Sequence, residues 1–277
     1  MPLFCDTALA ARIERAEAEL MARASEAARR RGSGAGFVVP VAGGVATFAG
    51  DGSPFNKVAG LGFGGVPSPS ALDEIERAFA ACGAPVQIEL AHLADPAVGA
   101  WLTGRGYRLV SFENVLGLAL DSEPERVTPA GVEVRPSGDG EFGEWLEAVV
   151  DGVIHPDTGG LPAHEEFPRD IIVNAERDLV AAGAVRYAAL RDGVMAGGAT
   201  IRLGGGIAQL TGAATRPAHR RRGVQTALLA ARLADAAAAG CDIAVVTTQP
   251  GSVSQHNVQR RGFDLLYTRA ILVKPRT

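Results

Sequence analysis

Four arginines, a histidine and a glycine gather in the stretch Thr215-Arg216-Pro217-Ala218-His219-Arg220-Arg221-Arg222-Gly223-Val224-Gln225-Thr226. The residues before it, Ile207 to Ala214, read as a strand, and Ala227 to Ala236 are strong helix formers. The order is therefore strand, basic turn, helix. A helix start offers unpaired N–H groups and the positive end of the helix dipole. Gly223 lets a ligand approach the backbone, and the arginines and His219 raise the local positive potential. Together they make an anion cradle suited to phosphate or pyrophosphate.

The hexamer Arg220-Arg221-Arg222-Gly223-Val224-Gln225 resembles the acetyl-CoA motif of the GCN5-related N-acetyltransferases (GNAT), loosely Arg/Gln-x-x-Gly-x-Gly/Ala. It matches at the first and fourth places and departs at the sixth, where Gln225 is tolerable if its side chain points away from the phosphates. A second stretch, Pro250 to Phe263, resembles the family's Asn-x-x-(x)-Arg-x-Gly-Phe helix. The resemblance runs from about Val132 to Lys274. It implies a mixed α/β fold and acetyl-CoA as co-substrate, with no metal. It also implies that strand Gln209 to Thr215 splays from its neighbour near Thr247. Backbone groups of Ala213, Ala214 and Thr215 would then pair with the pantetheine, one N–H polarising the thioester carbonyl. Backbone N–H groups of Arg220, Arg221, Arg222, Gly223, Val224, Gln225 and Thr226 would hold the pyrophosphate, and Asn257 would face the pantetheine arm or the adenine.

An amine would attack directly, so positioning and deprotonation supply most of the rate. Many family members carry a tyrosine four residues before the Gly-Phe glycine as acid for the leaving thiolate; here that residue is Val258. Ser254 and Tyr267 are the candidates in its place, although a thiolate can leave without an acid. Candidate bases sit in the loop from His155 to Pro168: His155, Asp157, His164, Glu165 and Glu166.

Composition bounds the rest. The 277 residues suit one large or two medium domains, and 47% apolar content supplies real cores. A net charge of −4 argues against a chain built to bind nucleic acid. Cys5, Cys82 and Cys241 are an odd, scattered set that reads as reduced thiols. The start has no basic end followed by an apolar run, and no stretch of about 20 apolar residues is present, so a cytoplasmic protein without membrane contact is expected. The five histidines lack metal-ligand spacing, and neither a Gly-x-Ser-x-Gly elbow nor a Walker-type Gly-Lys-Ser/Thr occurs.

The elements that must position these groups follow in order. Residues 6–31 read as one helix capped by Asp6, with Leu9, Ile13, Ala16, Leu20 and Ala24 as an apolar stripe; Arg29-Arg30-Arg31 read as its solvated end. Three short strands are expected over 36–41, 44–49 and 56–63, then a helix opened by Ser70 with Asp73 as its capping-box partner. A strand over 85–90, a short helix from Pro96 to Thr103 and a strand from Leu109 to Leu120 follow. The polar, proline-bearing segment 121–131 reads as a linker. Beyond it come a strand at Val132 to Pro136, a helix from Glu141 to Val150 and another from Ile171 to Ala182. A hairpin turning at Arg191-Asp192-Gly193, the basic stretch with its helix, a strand at Asp242 to Thr248, a helix from Ser252 to Arg260 and a last strand from Leu265 complete the chain.

The order strand, helix, strand, short helix, Gly-aromatic, strand occurs twice. Gly106-Tyr107 and Gly262-Phe263 are offset by about 156 residues, and Val86 to Leu90 falls on Asp242 to Val246 at the same offset. The expectation is two tandem acyl-CoA N-acyltransferase-like units: residues 1–120 as a degenerate copy, 121–131 as linker, 132–277 as the acetyl-CoA-binding domain. In the first copy the cradle's place is taken by Gly62 to Ser68, which has no arginine and carries Pro67 where the second has Gly223. Activity is expected to be acetyl transfer to a primary amine of a small molecule or amino acid, with a protein N-terminus as another acceptor, by a monomer or homodimer. A non-catalytic acyl-CoA sensor or scaffold of the same fold is the alternative.

Overall fold

A computed structural model describes residues 2–32, 36–121, 126–156 and 165–275. Helix α1 (Thr7–Arg31) starts where Asp6 accepts a hydrogen bond from Leu9 N at 2.8 Å. Its end departs from expectation, because Arg31 forms a two-pronged pair with Asp178, at 2.9 and 2.7 Å, while Arg29 and Arg30 stay exposed. Strands β1 (Phe37–Val41) and β2 (Gly44–Phe48) form a hairpin. β3 (Lys57–Ala59) is shorter than the apolar run that contains it. Helix α2 (Pro69–Ala81) is capped by Ser68, two residues before the expected Ser70, because Pro69 suits the first helical position. Asp73 makes no capping box and instead pairs with Arg105. β4 (Val86–Ala91), α3 (Pro96–Gly104) and β5 (Arg108–Ala119) complete the first half.

The second half adds one strand and one helix at its front: β6 (Val132–Pro136), α4 (Phe142–Ile154) and α5 (Arg169–Ala181). Then come β7 (Val185–Arg191), β8 (Val194–Gly204), β9 (Ile207–Thr215), α6 (Val224–Ala238), β10 (Ile243–Thr248), α7 (Val253–Gln259) and β11 (Asp264–Lys274). Of the segment read as a linker, 122–125 lie outside the described residues. Of the rest, Arg126 is paired to Asp235 of α6, and Val127 and Pro129 are half-buried.

All strands join one mixed sheet of 11, in the order β1-β2-β3-β4-β11-β5-β10-β9-β8-β7-β6. Apart from β6, the order is a palindrome of the repeat: β1, β2, β3 and β4 stand where β7, β8, β9 and β10 stand at the other end. The centre is exchanged. β11, the last strand of the second half, pairs with β4 of the first, and β5 of the first half pairs with β10 of the second. Two tandem units of the expected type are present, but each lends its last strand to the other.

The alternation of side chains fixes the two faces. Ile243, Val245, Val115 and Tyr267 pack under α1, whereas Ala244 and Leu116 pack with α6. Ile88, Leu90 and Leu272 pack with α2 and α3 on that same second face. α4 and α5 continue the α1 face, with Trp145 and Ile172 beside Ala188 and Ala214.

Candidate functional site

β9 and β10 run parallel but pair only from Ile207–Ile243 to Gln209–Val245. Beyond Gln209 they part. The cause lies in β9, where a bulge sets Leu210 and Thr211 opposite the single residue Ile201 of β8. A bulge frees carbonyls, and Arg232 of α6 collects them. Its guanidinium donates to Thr200 O at 3.0 Å, Gly212 O at 3.1 Å and Leu228 O at 3.1 Å. Arg232 is 3% exposed, and burial pulls its pKa down to about 10. It holds the bend that opens the strands. β10 remains paired on its other edge as far as Thr248–Asn114, so the opening lies on the β9 side and Thr247 is exposed there.

The basic turn follows the splayed end of β9. Arg220 points away from the turn, donating to Gly152 O at 3.1 Å and to His155 O at the C-terminal end of α4, where a cation also suits the helix dipole. Gly152 itself fits tightly, since a Cβ there would lie 2.9 Å from Thr215 O. Arg221 and Gly223 are both left-handed, with φ of +58° and +84°. Among the described residues, the first helical N–H to find a carbonyl is that of Ala227, on Gly223 O, and no side chain caps Gly223. The N–H groups of Val224, Gln225 and Thr226 therefore open outward, beside the exposed side chains of Arg221 and Arg222. A Cβ on Gly223 would meet Pro129 at 2.6 Å, so the packed part of segment 121–131 braces the cradle from behind. Gln225 turns away from the turn and donates to Ala213 O at 3.2 Å. Ala213 is exposed, while Ala214 and Thr215 are buried.

α7 carries the second stretch singled out in the sequence. Ser252 caps it by accepting from Gln255 N at 3.1 Å. Gln255 Oε1 accepts from Gly251 N at 2.8 Å and from Asn114 Nδ2 at 3.4 Å, and Asn114 Oδ1 accepts from Thr268 Oγ1 at 2.9 Å. A residue of the first half thus anchors a helix of the second half's site. Ser254 and Asn257 are exposed on α7, and Val258 is buried beneath it. Tyr267 is not brought to the opening. It is 2% exposed under α1, its hydroxyl donates to Glu14 Oε1 at 2.6 Å, and burial raises its pKa strongly. Of the loop residues weighed as bases, Asp157 and His164 lie outside the described residues, and His155, Glu165 and Glu166 are exposed.

One group near the opening escaped the sequence reading. Glu176 of α5 lies with its Oε1 3.6 Å from where a Cβ on Gly212 would sit, and its buried Oε2 has no hydrogen-bond partner. Burial alone lifts its pKa to about 7. A signal was available: Ile172, Glu176 and Leu179 share one helix stripe, which puts the carboxyl among apolar neighbours.

The matching place in the first half is built differently. Gly62 N and Gly64 N both donate to Ala42 O, at 3.3 and 3.0 Å, and Ser68 occupies Ala71 N at the helix start. Three of its backbone donors are thus used within the fold, and Pro67 and Pro69 supply none.

A bent strand parting from its neighbour, followed by an uncapped helix start, leaves backbone N–H groups able to hold an anionic ligand. Residues 155–263 match the model of the acetyltransferase (GNAT) family. Among solved structures, a GCN5-related N-acetyltransferase from Kribbella flavida is similar over 91% of this chain and 95% of its own, with 21% identity and a TM-score of 0.65. A tandem GNAT protein from the clavulanic acid biosynthesis pathway is similar over 94% of each chain, with 15% identity and a TM-score of 0.61. A GCN5-related N-acetyltransferase from Sphaerobacter thermophilus is similar over 74% of this chain and 66% of its own, with 17% identity and a TM-score of 0.57. No curated protein matches the sequence. The second half thus matches the family model over residues 155–263, and the chain as a whole shares its fold with a tandem GNAT protein. Among the described residues no helix is long and apolar enough to cross a membrane.

Proposed function

We propose that the protein transfers an acetyl group from acetyl-CoA to a primary amine of a small molecule. The observation that carries this reading is the uncapped, left-handed start of α6 set against the splayed end of β9. The residues fit the co-substrate. N–H groups from Arg221 to Thr226, with the exposed guanidinium groups of Arg221 and Arg222, would hold the pyrophosphate. Backbone on the edge of β9 that β10 leaves beyond Gln209, at Ala213 to Thr215, would take the pantetheine amides and orient the carbonyl. Asn257 on α7 would face the far end of that arm. The bound acetyl-CoA supplies an acetyl group already activated as a thioester. The first half, whose matching turn has no arginine and whose helix start is capped by Ser68, would bind no co-substrate and serve as a wall and anchor.

The test is calorimetric titration of acetyl-CoA into the wild type and Gly223→Ala. A side chain at a φ of +84°, 2.6 Å from Pro129, displaces the cradle backbone. Binding should weaken on the order of 10-fold or more, equivalent to a little over 1 kcal/mol. Failure of the wild type to bind would overturn the reading. The buried Val258, where many relatives carry an acid, favours a second reading: an acyl-CoA sensor without turnover. Tight binding with no thiol release across a broad amine panel would select it.

A further inference from the structure

We propose that Glu176 receives the acceptor: it binds the ammonium group of a small primary amine entering between α5 and β9 and takes up its proton. This rests on the acetyltransferase reading above and narrows its substrate class. Glu176 sits on the α5 face of β9, against Gly212, three residues past the last pairing with β10. Because residue 212 has no side chain, the carboxylate lies close to its backbone, with the Thr200 hydroxyl 3.3 Å from the same Cβ position. Its Oε2 is buried and unpartnered, an arrangement that is costly unless a ligand completes it.

Cations on the packed elements are committed elsewhere. Arg202 of β8 donates to Gln209 and pairs with Glu19, and Arg31 of α1 pairs with Asp178. Arg169 pairs with Glu147 of α4, and Arg232, behind Gly212, is spent on carbonyls. Of the other charged α1 groups on this side, Glu17 accepts from Gln209 Nε2 at 3.2 Å, and Arg23, Glu26 and Arg30 line a surface groove at the C-terminal end of α5. Among the described residues, none of these cations bonds to the Glu176 Oε2.

The proton and bond changes balance. The ammonium gives one proton to the Glu176 carboxylate, leaving a free amine. The amine nitrogen bonds to the acetyl carbon, the C–S bond breaks, and its electron pair leaves on sulfur, which takes the second proton from the nitrogen. Glu176 then returns its proton to solvent. A carboxylate beside the amine, as in a free α-amino acid, would be set against Glu176 and repelled. The favoured acceptor is a primary amine with no neighbouring carboxylate.

The experiment separates this proposal from the reading beneath it. Acetyl-CoA binding is measured first, in wild type and Glu176→Gln, and is expected to be the same in both. Failure at that step counts against the acetyltransferase reading itself. CoA-loaded protein is then titrated with n-butylamine, benzylamine, 1,4-diaminobutane and glycine, at pH 6 and pH 8. The three amines should bind the wild type, more tightly at pH 8, where burial no longer keeps the carboxyl protonated, and glycine should not. In Glu176→Gln the amines should weaken by about 10-fold or more and lose the pH dependence. Equal affinity in the two proteins, pH-independent binding, preference for glycine, or no binding by any of the three amines would each overturn the proposal.

Discussion

Glu113 of β5 and Arg269 of β11 stand opposite each other in their antiparallel pair, with charged groups 3.8 Å apart. They also occupy matching places in the two repeat copies, offset by about 156 residues. The local two-fold relation of the sheet therefore passes between a carboxylate and a guanidinium. Arg269 is 1% exposed and gathers two further acids, Glu14 at 2.7 Å and Glu89 at 3.5 Å.

Arg269→Met should therefore strand several buried carboxylates. Breaking a buried pair on one side costs about 3–5 kcal/mol. Urea denaturation at pH 8 should show a loss of that order, and a smaller loss at pH 5, where the freed carboxyls can protonate. Equal losses at both pH values would contradict the charge argument.

Stability should also fall as pH rises in the wild type. Burial, aided by the charge of Glu89, lifts Glu113 to about 7, and burial alone lifts Glu176 to about 7, both from an ordinary value of 4.5. Between those values the native state holds more protons than the unfolded one. The contribution is thus fully present below about pH 4.5 and lost as pH climbs through 7. It amounts to at most roughly 3 kcal/mol per group. Denaturation curves from pH 4.5 to 8 check the slope. Glu176→Gln should flatten it and be more stable than the wild type at pH 8.

Gln225 bonds the carbonyl of Ala213, on the strand proposed to meet the pantetheine. If coenzyme A must displace that bond, Gln225→Ala should bind it more tightly, by about fivefold for a hydrogen bond of about 1 kcal/mol. Calorimetry decides, and unchanged affinity would mean that the bond survives in the complex.

Asn114 is 7% exposed and holds Gln255 from the far half of the sequence. Asn114→Ala should loosen α7, with faster amide exchange over Val253–Gln259 and coenzyme A affinity reduced several-fold. Unchanged exchange in that helix would remove Asn114 from the site's support.

Local pattern made much of this legible. The apolar stripe from Leu9 to Ala24 gave α1, and Asp6 marked its start within a residue. The basic turn and Gly223 located the uncapped helix. What stayed hidden depends on partners far along the chain. An apolar strand such as Leu109 to Leu120 looks the same whether it pairs within its own unit or with β10 of the other, so the exchange left no local mark. Tyr267 was misleading for that reason, since the exchanged strand carries its hydroxyl to Glu14 beneath α1. Glu176 hid differently, because a carboxylate on a helix ordinarily reads as solvated, and only its neighbours one turn away place it inside.

The exchange of β5 and β11 sets an order for making the protein. The chain emerges from the ribosome amino end first, and β4 finds its central neighbour only in β11, Asp264–Lys274. Until β11 has been made and released, β4 carries an open edge, a hazard for pairing with foreign strands. Synthesis through β11 is thus a precondition for closing the sheet, and a chain broken before that strand would unseat both halves at once.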